Sequence, residues 1–189
     1  MTKSGKTKRL AELAEQIKVC IKCPLHESRT LAVPGDGKLG AKVMIVAEAP
    51  GKDEDLTGHP FVGASGKFLN SVLEGSGLDR DDFFITNTVK CRPPKNRTPK
   101  RDEIETCTDN YLFEQIELIN PRLLMLLGGV AAKRVLGIKT INEARGQVIE
   151  RGGRKHIVGY HPAVRFYRED LKQKVYEDFE LLKKEIEKL

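Results

Sequence analysis

Long apolar runs are absent from this 189-residue sequence, in which 39% of the residues are hydrophobic. None approaches the roughly 20 consecutive apolar residues that a membrane-spanning helix needs. The first ten residues contain four basic side chains and one leucine, and they lack the apolar segment of a secretory signal peptide. We therefore expect a single domain over residues 1–189 that resides in the cytoplasm and contacts no membrane.

Cysteine and glutamine are both scarce, with four positions each. A chain of this length buries roughly 70% of its unfolded surface and needs no disulfides. Four cysteines in a reducing compartment need another explanation, and metal binding is the first candidate. The low glutamine content and the 32% of charged residues indicate a thermophilic source.

The cysteine spacing fits one tetrathiolate site. Cys20 and Cys23 form a C-x2-C pair after the first predicted helix, so residues 1–23 would supply that helix and the first ligand pair. Cys91 and Cys107 lie in or beside a basic loop. Zinc and a 4Fe-4S cluster both accept four cysteines, so spacing leaves the metal open. Ordinary buried cysteine is the alternative, and it fits Cys107, in a predicted helix, best. A metal here would be mainly structural and would fix the basic loop.

Basic residues outnumber acidic ones by 33 to 27, for a net charge of +6, and they cluster in two internal segments. Residues 88–101 contain no acidic side chain, and residues 145–168 contain only Glu150. Such clusters favour a polyanionic partner, because each phosphate bound by Lys or Arg releases counterions. A solvated surface is the alternative, but loops punctuated by proline and glycine favour nucleic acid. The basic residues of the first segment are Lys90, Arg92, Lys95, Arg97, Lys100 and Arg101.

Apolar spacing predicts alternating helices and strands. Helices are predicted over residues 6–19, 65–75, 98–119, 130–136 and from about 169, and strands over 42–47, 83–86, 123–127 and 156–159. This alternation predicts a three-layer α/β/α sandwich on a central, mostly parallel four-stranded sheet. Ligands of such sheets bind at the carboxyl ends of the strands. Those ends would bring residues 48–51, Asn87, Gly128 and His161 into one crevice.

Five motifs along the chain carry a resemblance to a known family. They are the Cys20 and Cys23 pair, AEAPG at 47–51, TGHPFVG at 57–63, TNTVKCRPP at 86–94 and YHPA at 160–163. In this order and spacing they resemble the family 4 uracil-DNA glycosylases, the iron-sulfur type found in thermophilic archaea and bacteria. The resemblance implies a uracil-glycosylase fold and removal of uracil from DNA in base excision repair. It also implies a 4Fe-4S cluster on Cys20, Cys23, Cys91 and Cys107, with zinc as the less favoured occupant.

Two departures from the family pattern bear on the chemistry. The first motif opens with Ala47 where the family usually has glycine, a small change unless the backbone has a positive φ. A related group bonds covalently to its DNA through a histidine in an inserted basic loop, and residues 92–97 contain no histidine. The resemblance therefore implies a monofunctional enzyme that turns over and leaves free uracil and an abasic site.

Three residues suit the recognition of a flipped uracil. Phe61 can stack on the ring, although a core phenylalanine in a turn is the simpler interpretation of that residue alone. Asn87 offers one acceptor and one donor, which complement uracil N3-H and O4 and mismatch cytosine; a turn or cap residue is the alternative. His161 would donate a hydrogen bond to uracil O2, the atom on which negative charge develops. An ordinary histidine before a proline is the alternative. The sequence leaves the protonation state of His161 open.

The first motif supplies the candidates for water positioning. Ala49 occupies the place where some other uracil glycosylases have an aspartate that orients water, and it cannot act as a base. Glu48 is the remaining carboxylate of this motif, with Glu54 and Asn96 as secondary candidates. Glu54 is also a candidate to occupy the position that the methyl group of thymine would take. Ala49 and Gly51 are predicted to contact the substrate. A solvated acidic turn or a divalent-metal site is the alternative, although the reaction requires no such metal.

Basic residues near the motifs are candidates for DNA binding. They are Arg92, Lys95, Asn96 and Arg97 in the basic loop and Arg165 at a minor-groove wedge. We expect a monomer, located near the nucleoid, that acts on single- or double-stranded DNA containing uracil. Neither terminus shows an obvious motif for binding a sliding clamp. A non-catalytic, metal-stapled nucleic-acid-binding protein is the alternative of a different class. A glycosylase with broader specificity for deaminated bases, such as hypoxanthine or xanthine, is a third.

Overall fold

A five-stranded sheet forms the middle layer of the fold. In the computed structural model, which describes residues 2–189, the strand order is β2-β1-β3-β5-β4. The strands are β1 (Val43–Ala47), β2 (Phe83–Asn87), β3 (Leu123–Leu127), β4 (Val148–Arg151) and β5 (Arg154–Gly159). The first four in this order are parallel, whereas β4 runs antiparallel to β5 at the edge. Met1, the first residue of the predicted domain, lies outside the described residues.

Seven α-helices surround the sheet in the described chain. They are α1 (Lys3–Lys18), α2 (Lys52–Thr57), α3 (Ala64–Gly75), α4 (Arg101–Cys107), α5 (Phe113–Ile119), α6 (Gly129–Leu136) and α7 (Lys172–Ile186). A π-helical turn, Thr108–Leu112, joins α4 to α5. No helix within residues 2–189 has both the length and the apolar character needed to cross a bilayer.

Alternation along the buried strands explains the three layers. Val43 and Ile45 project into a core that contains the apolar faces of α3 and α7. Met44 and Val46, on the opposite face, pack with residues of α5 and α6. A third cluster joins Leu13 and other α1 residues to the segments that carry the cysteines. The predicted α/β/α sandwich is confirmed.

The prediction of four strands misses β4. Its sequence, VIER, has only two apolar residues, and the strand is half-buried to exposed because it lies at the sheet edge. The predicted helix start at Thr98 is also wrong by three residues. There α4 begins at Arg101, because the Glu103 carboxylate accepts a hydrogen bond from the Lys100 backbone N–H at 2.7 Å and caps the first turn.

The sheet register brings the carboxyl ends of the parallel strands to one edge. Ala47 pairs with Asn87 across β1 and β2, and Leu127 pairs with Gly159 across β3 and β5. The loops that follow these strands therefore start at the same level, which is where ligands of parallel sheets bind.

Candidate active site and cysteine cavity

A small pocket lies at this edge of the sheet. Its lining residues are Ala49, Gly51, Glu54, Phe61, Ser65, Asn87 and His161. Six of the seven are candidates from the sequence, and the structure brings them together from four separate segments. The cavity volume is about 20 Å³, which is enough for one water molecule but not for a pyrimidine ring.

Asn87 is the buried amide of this pocket. It ends β2 and is 2% exposed. Among the described residues, the side-chain hydrogen bond made to Asn87 goes to its backbone carbonyl and not to its carboxamide, and the residue lines the pocket. One donor group and one acceptor atom are therefore available to a bound molecule.

The imidazole of His161 has a defined tautomer. Its Nδ1 accepts a hydrogen bond from the backbone N–H of Ala163 at 3.1 Å, so the proton of the neutral ring is on Nε2. Burial in the pocket lowers the pKa of His161 to about 4. At neutral pH the residue is thus an uncharged donor through Nε2–H.

Phe61 packs against His161 in an unusual backbone conformation. The two rings stack with centroids 5.7 Å apart and an interplanar angle of 26°. Phe61 has φ 55°, in the left-handed region, which is costly for a residue with a bulky side chain. Arg80 holds this turn by donating to the Pro60 carbonyl at 2.7 Å and to the Phe61 carbonyl at 3.5 Å.

Gly66 in α3 allows the close approach of this turn. A Cβ atom at position 66 would lie 2.0 Å from the Phe61 carbonyl oxygen. The first turn of α3 and the strained residue therefore fit together only because position 66 has no side chain.

Glu54 connects the first motif to the Phe61 turn. One carboxylate oxygen accepts from the backbone N–H groups of Val62 and Gly63, at 2.9 and 2.8 Å, and the other accepts from Gly51 at 3.0 Å. The side chain is buried. Its oxygens thus carry three backbone hydrogen bonds, and the structure assigns Glu54 to holding the pocket wall.

Glu48 lies immediately after β1 and is half-buried. Burial raises the pKa of its carboxyl group. It is next to Ala49 of the pocket but is not among the residues that line the small cavity itself. Asn96 is exposed in the basic loop, away from the pocket lining.

Sequence reasoning missed two residues of this site. Ser65 lines the pocket from the first turn of α3, and its position only four residues after Phe61 was the available signal. Arg80 acts on Pro60 and Phe61 from about twenty residues away, and no local pattern could reveal that contact.

The four cysteine thiols border a second cavity, between the end of α1, the basic loop and α4. All four are free of disulfides. Arg29 donates to the Cys91 sulfur at 3.1 Å, and backbone N–H groups of Lys90 and Lys22 donate to the sulfurs of Cys107 and Cys20. Such donors stabilise thiolates, which are the form that binds metal.

Burial acts against ionisation of these thiols when they are alone. It raises the pKa values of Cys23 and Cys91, and that of Cys107 to about 12. Among residues 2–189, no three His, Cys, Asp or Glu side chains stand at the spacing that one metal ion requires.

Lys90 lies between the two cavities and is 1% exposed. Its ammonium group donates to Thr86 Oγ1, the Asn87 carbonyl and Gln115 Oε1 at 2.6, 2.8 and 2.6 Å. Burial lowers the pKa of Lys90 to about 8, and the sulfurs of Cys107 and Cys91 act in the opposite direction. The interpretation of Lys90 as a surface cation of the basic loop is wrong.

The other cations of the basic loop differ in whether they pair with a carboxylate. Lys95 is exposed and has φ 54°, and the half-buried Arg92 donates to Asn96 Oδ1 at 2.7 Å. Arg97 instead makes two hydrogen bonds, at 2.8 and 2.6 Å, to the carboxylate of buried Glu103. The guanidinium of Arg97 therefore fixes the loop to α4.

Arg165 lies in the short helical segment Pro162–Phe166, which follows His161. Its guanidinium carbon is 4.7 Å from the ring centroid of Phe68 and 5.2 Å from that of Phe166. Phe166 and Tyr167 are 53% and 69% exposed. The segment after His161 thus presents a cation and two aromatic rings to solvent.

Comparison with known proteins identifies the family. Residues 34–180 match the Uracil DNA glycosylase superfamily. The chain is 44% identical over 179 residues to the type-4 uracil-DNA glycosylase of Archaeoglobus fulgidus, covering 90% of this chain and 89% of that protein. It is 45% identical over 165 residues to the type-4 enzyme of Pyrobaculum aerophilum, with 82% and 83% covered. For the type-4 enzyme of Thermotoga maritima the identity is 42% over 181 residues, with 93% and 94% covered. On these grounds the chain belongs to the type-4 uracil-DNA glycosylases of the Uracil DNA glycosylase superfamily.

Proposed function

We propose that this protein flips uracil out of DNA and hydrolyses its N-glycosidic bond, leaving free uracil and an abasic site as the first step of base excision repair. The observation that carries the proposal is the meeting of the Asn87 amide and the His161 imidazole in one pocket. Each has a polar group that is not engaged by another described residue. A protein that only binds nucleic acid has no need for this pair at the strand ends.

Asn87 would select uracil by its hydrogen-bonding edge. The carboxamide oxygen accepts from N3–H, and the NH2 group donates to O4. Cytosine has a bare nitrogen and an amino group at these positions. In the amide orientation that pairs with uracil, cytosine would leave both polar groups of Asn87 unpaired, which disfavours its binding.

His161 would stabilise the charge that forms as the bond to the sugar lengthens. Nε2–H of the neutral ring donates to O2, the atom on which that charge develops. A single oriented donor of this kind contributes about 3 to 4 kcal/mol to the transition state. The Ala163 amide keeps the ring in the required tautomer.

Water would attack the sugar late, once it has oxocarbenium character, and therefore needs modest activation. Ala49 supplies no base at this point. Glu48, adjacent to the pocket, is the carboxylate we assign to orienting that water or the motif backbone.

Base entry requires the pocket to open. A cavity of about 20 Å³ lined by the stacked Phe61 and His161 rings is smaller than uracil, so we infer that at least one of these rings moves when the base enters. Phe61 would then stack on the base instead of the imidazole, which keeps its apolar surface covered in both states.

The four thiols of the cysteine cavity are the ligands that we assign to the 4Fe-4S cluster implied by the family resemblance. Its four thiols, the Arg29 guanidinium and the backbone donors suit an anionic thiolate group. Zinc is the less favoured occupant of the same four thiols. When bound, the cluster would join the end of α1 to the basic loop and supply no step of the hydrolysis.

The DNA would be held along the basic loop and the segment after His161. Arg92 and Lys95 are the loop cations that we assign to phosphates, and Arg165 is assigned to the minor groove. Monomeric action, thermophilic origin and a location at the nucleoid are further parts of this proposal. A sliding-clamp partner has no support in the sequence.

The proposal is tested with a labelled oligonucleotide that carries one uracil opposite guanine. Protein purified without oxygen is incubated with it, and half of each sample is treated with alkali. We expect strand cleavage at uracil only after alkali, with thymine and cytosine spared. Asn87→Ala and His161→Ala should each abolish most of the activity, whereas the exposed Asn142→Ala should retain it.

Other outcomes identify the competing functions. Intact DNA from folded, metal-loaded protein that still shifts the oligonucleotide on a gel would contradict the enzyme and leave the nucleic-acid-binding protein. Cleavage at hypoxanthine or xanthine at a rate similar to that at uracil would indicate the broader glycosylase. Strand cleavage without alkali would contradict monofunctional hydrolysis.

A further inference from the structure

Lys90 is a buried cation with an unusually complete set of partners. Its Nζ donates three hydrogen bonds, to Thr86 Oγ1, the Asn87 carbonyl and Gln115 Oε1. Three acceptors require three N–H donors, so the group is an ammonium ion. None of the ion pairs in residues 2–189 gives it a carboxylate partner. A buried charge without a counter-ion is costly, and its presence needs a reason.

The acceptors around Lys90 are held in place by the Pro34 carbonyl. Gln115 Nε2 donates to this oxygen at 2.8 Å, so Oε1 must face Lys90. The Thr86 hydroxyl donates to the same oxygen at 3.0 Å, and its lone pairs are left for Lys90. Each side chain in the network has one available orientation, and the network is therefore rigid.

One end of this network fixes the peptide that follows Asn87. Lys90 Nζ binds the Asn87 carbonyl on one side of that peptide, and the Thr88 N–H donates to Ala47 on the other, at 2.8 Å. Among the described residues, the hydrogen bonds of Asn87 involve its backbone and not its carboxamide. A shift of this backbone would therefore move the amide with it.

The other end of the network is the cysteine cavity. The backbone N–H of Lys90 donates to the Cys107 sulfur at 3.3 Å, and the next residue is Cys91. Lys90 is also one of the residues that border the cavity of the four thiols. In the metal-loaded protein these sulfurs are thiolates, and they supply the negative charge that the buried ammonium otherwise lacks.

We propose that Lys90 is a positioning residue that couples the cysteine site to Asn87, so that the charge of the loaded site holds the ammonium ion and the ammonium ion aims the uracil-selecting amide. This inference rests on the proposed function. It gives the metal site an effect on catalysis without any contact between metal and substrate.

The test compares Lys90→Met with wild type in the full-length, metal-loaded protein. Methionine keeps the length and apolar stem but removes the charge and all three donors. We expect unchanged iron and sulfide content and a more negative midpoint potential of the metal site, because a nearby positive charge is lost. The single-turnover excision rate should fall by about 10²-fold, with DNA affinity nearly unchanged, because the amide is misplaced while the binding surface is intact.

The matched control is Lys155→Met. Lys155 also makes a 2.7 Å ion pair, with Glu185, but it lies at the amino end of β5. It should change neither the potential nor the excision rate. In an Asn87→Ala background, Lys90→Met should cause no further loss of rate, since the amide that it positions is gone.

Thr86→Val provides a second variant in case Lys90→Met loses its metal. It removes one acceptor and keeps the charge, so we expect an unchanged potential and a fall in excision rate of about 10-fold. Wild-type rates in both Lys90→Met and Thr86→Val, or an unchanged potential in metal-loaded Lys90→Met, would overturn the inference. Absence of uracil excision by the wild type would instead overturn the proposed function.

Discussion

The backbone N–H of Ala163 donates to Nδ1 of His161 at 3.1 Å, which fixes the proton of the neutral ring on Nε2. A charged ring has a proton on both nitrogens and cannot accept this bond. Together with burial, this contact favours the neutral form, with Nε2–H as the donor that the proposed function directs at uracil O2.

The tautomer can be observed by nitrogen NMR on protein labelled at histidine. We expect the His161 signals to show a protonated Nε2 and an unprotonated Nδ1, with no titration between pH 7 and pH 5, because burial lowers the pKa to about 4. The loss of one signal set in His161→Gln assigns the residue. A midpoint near 6.5, or a proton on Nδ1, would contradict the assignment.

The same pKa predicts a pH dependence of stability. The unfolded chain binds a proton at His161 near pH 6.5, whereas the folded chain binds it only near pH 4. The contribution of this group is therefore complete above pH 6.5 and is lost as the pH falls towards 4. Denaturant unfolding at pH 7 and pH 5 should show a larger loss of unfolding free energy for wild type than for His161→Gln.

Local pattern predicted much of this fold and site. The all-apolar strands β1 and β3 are recognisable because they are buried on both faces. Asn87 and His161 were identified because parallel topology places strand ends together. The roles of Lys90 and Arg80 could not be predicted from local pattern. Sequence alone does not distinguish a buried cation from an exposed one, because the acceptors that hold it are distant along the chain.

Arg80 is expected to support catalysis through Phe61. Arg80→Met removes the donors to the Pro60 and Phe61 carbonyls and leaves the left-handed turn unsupported. A lost hydrogen bond from a charged donor costs about 2 kcal/mol, so the excision rate should fall by at least about 10-fold. Single-turnover kinetics on uracil-containing duplex measures this change.

A double-mutant cycle separates positioning from general destabilisation. In a Phe61→Ala background, Arg80→Met should have little further effect on the rate, because the residue that it orients is absent. Arg101→Met is the control, since the exposed Arg101 pairs only with Glu105 one helical turn away in α4. Equal losses from Arg80→Met in both backgrounds would mean that Arg80 does not act through Phe61.

Gly66 and Gly75 give a matched pair within α3. A Cβ at position 66 would lie 2.0 Å from the Phe61 carbonyl oxygen, whereas at position 75 the nearest atom is Tyr176 Cε1, at 3.5 Å. Gly66→Ala should lower the free energy of unfolding by about 1–3 kcal/mol and reduce uracil excision. Gly75→Ala should be neutral or stabilising by up to about 1 kcal/mol. Denaturant unfolding measures the free energy of unfolding of both variants. An unchanged free energy for Gly66→Ala would contradict the close packing of position 66 against the Phe61 carbonyl.

Arg165 is expected to contribute a phosphate or minor-groove contact, because its guanidinium lies over the rings of Phe68 and Phe166 in the segment that follows His161. Arg165→Gln should weaken binding to uracil-containing duplex and reduce the slope of log affinity against log salt by about 1, the value for one lost phosphate contact. Arg134→Gln is a matched control, since Arg134 also lies over a ring, that of Phe113 at 4.8 Å, but on α6. Fluorescence anisotropy over a range of salt concentrations measures both slopes. If Arg165→Gln lowers affinity equally at every salt concentration, Arg165 acts by packing against the aromatic residues. The proposed contact between its guanidinium and the DNA would then be wrong.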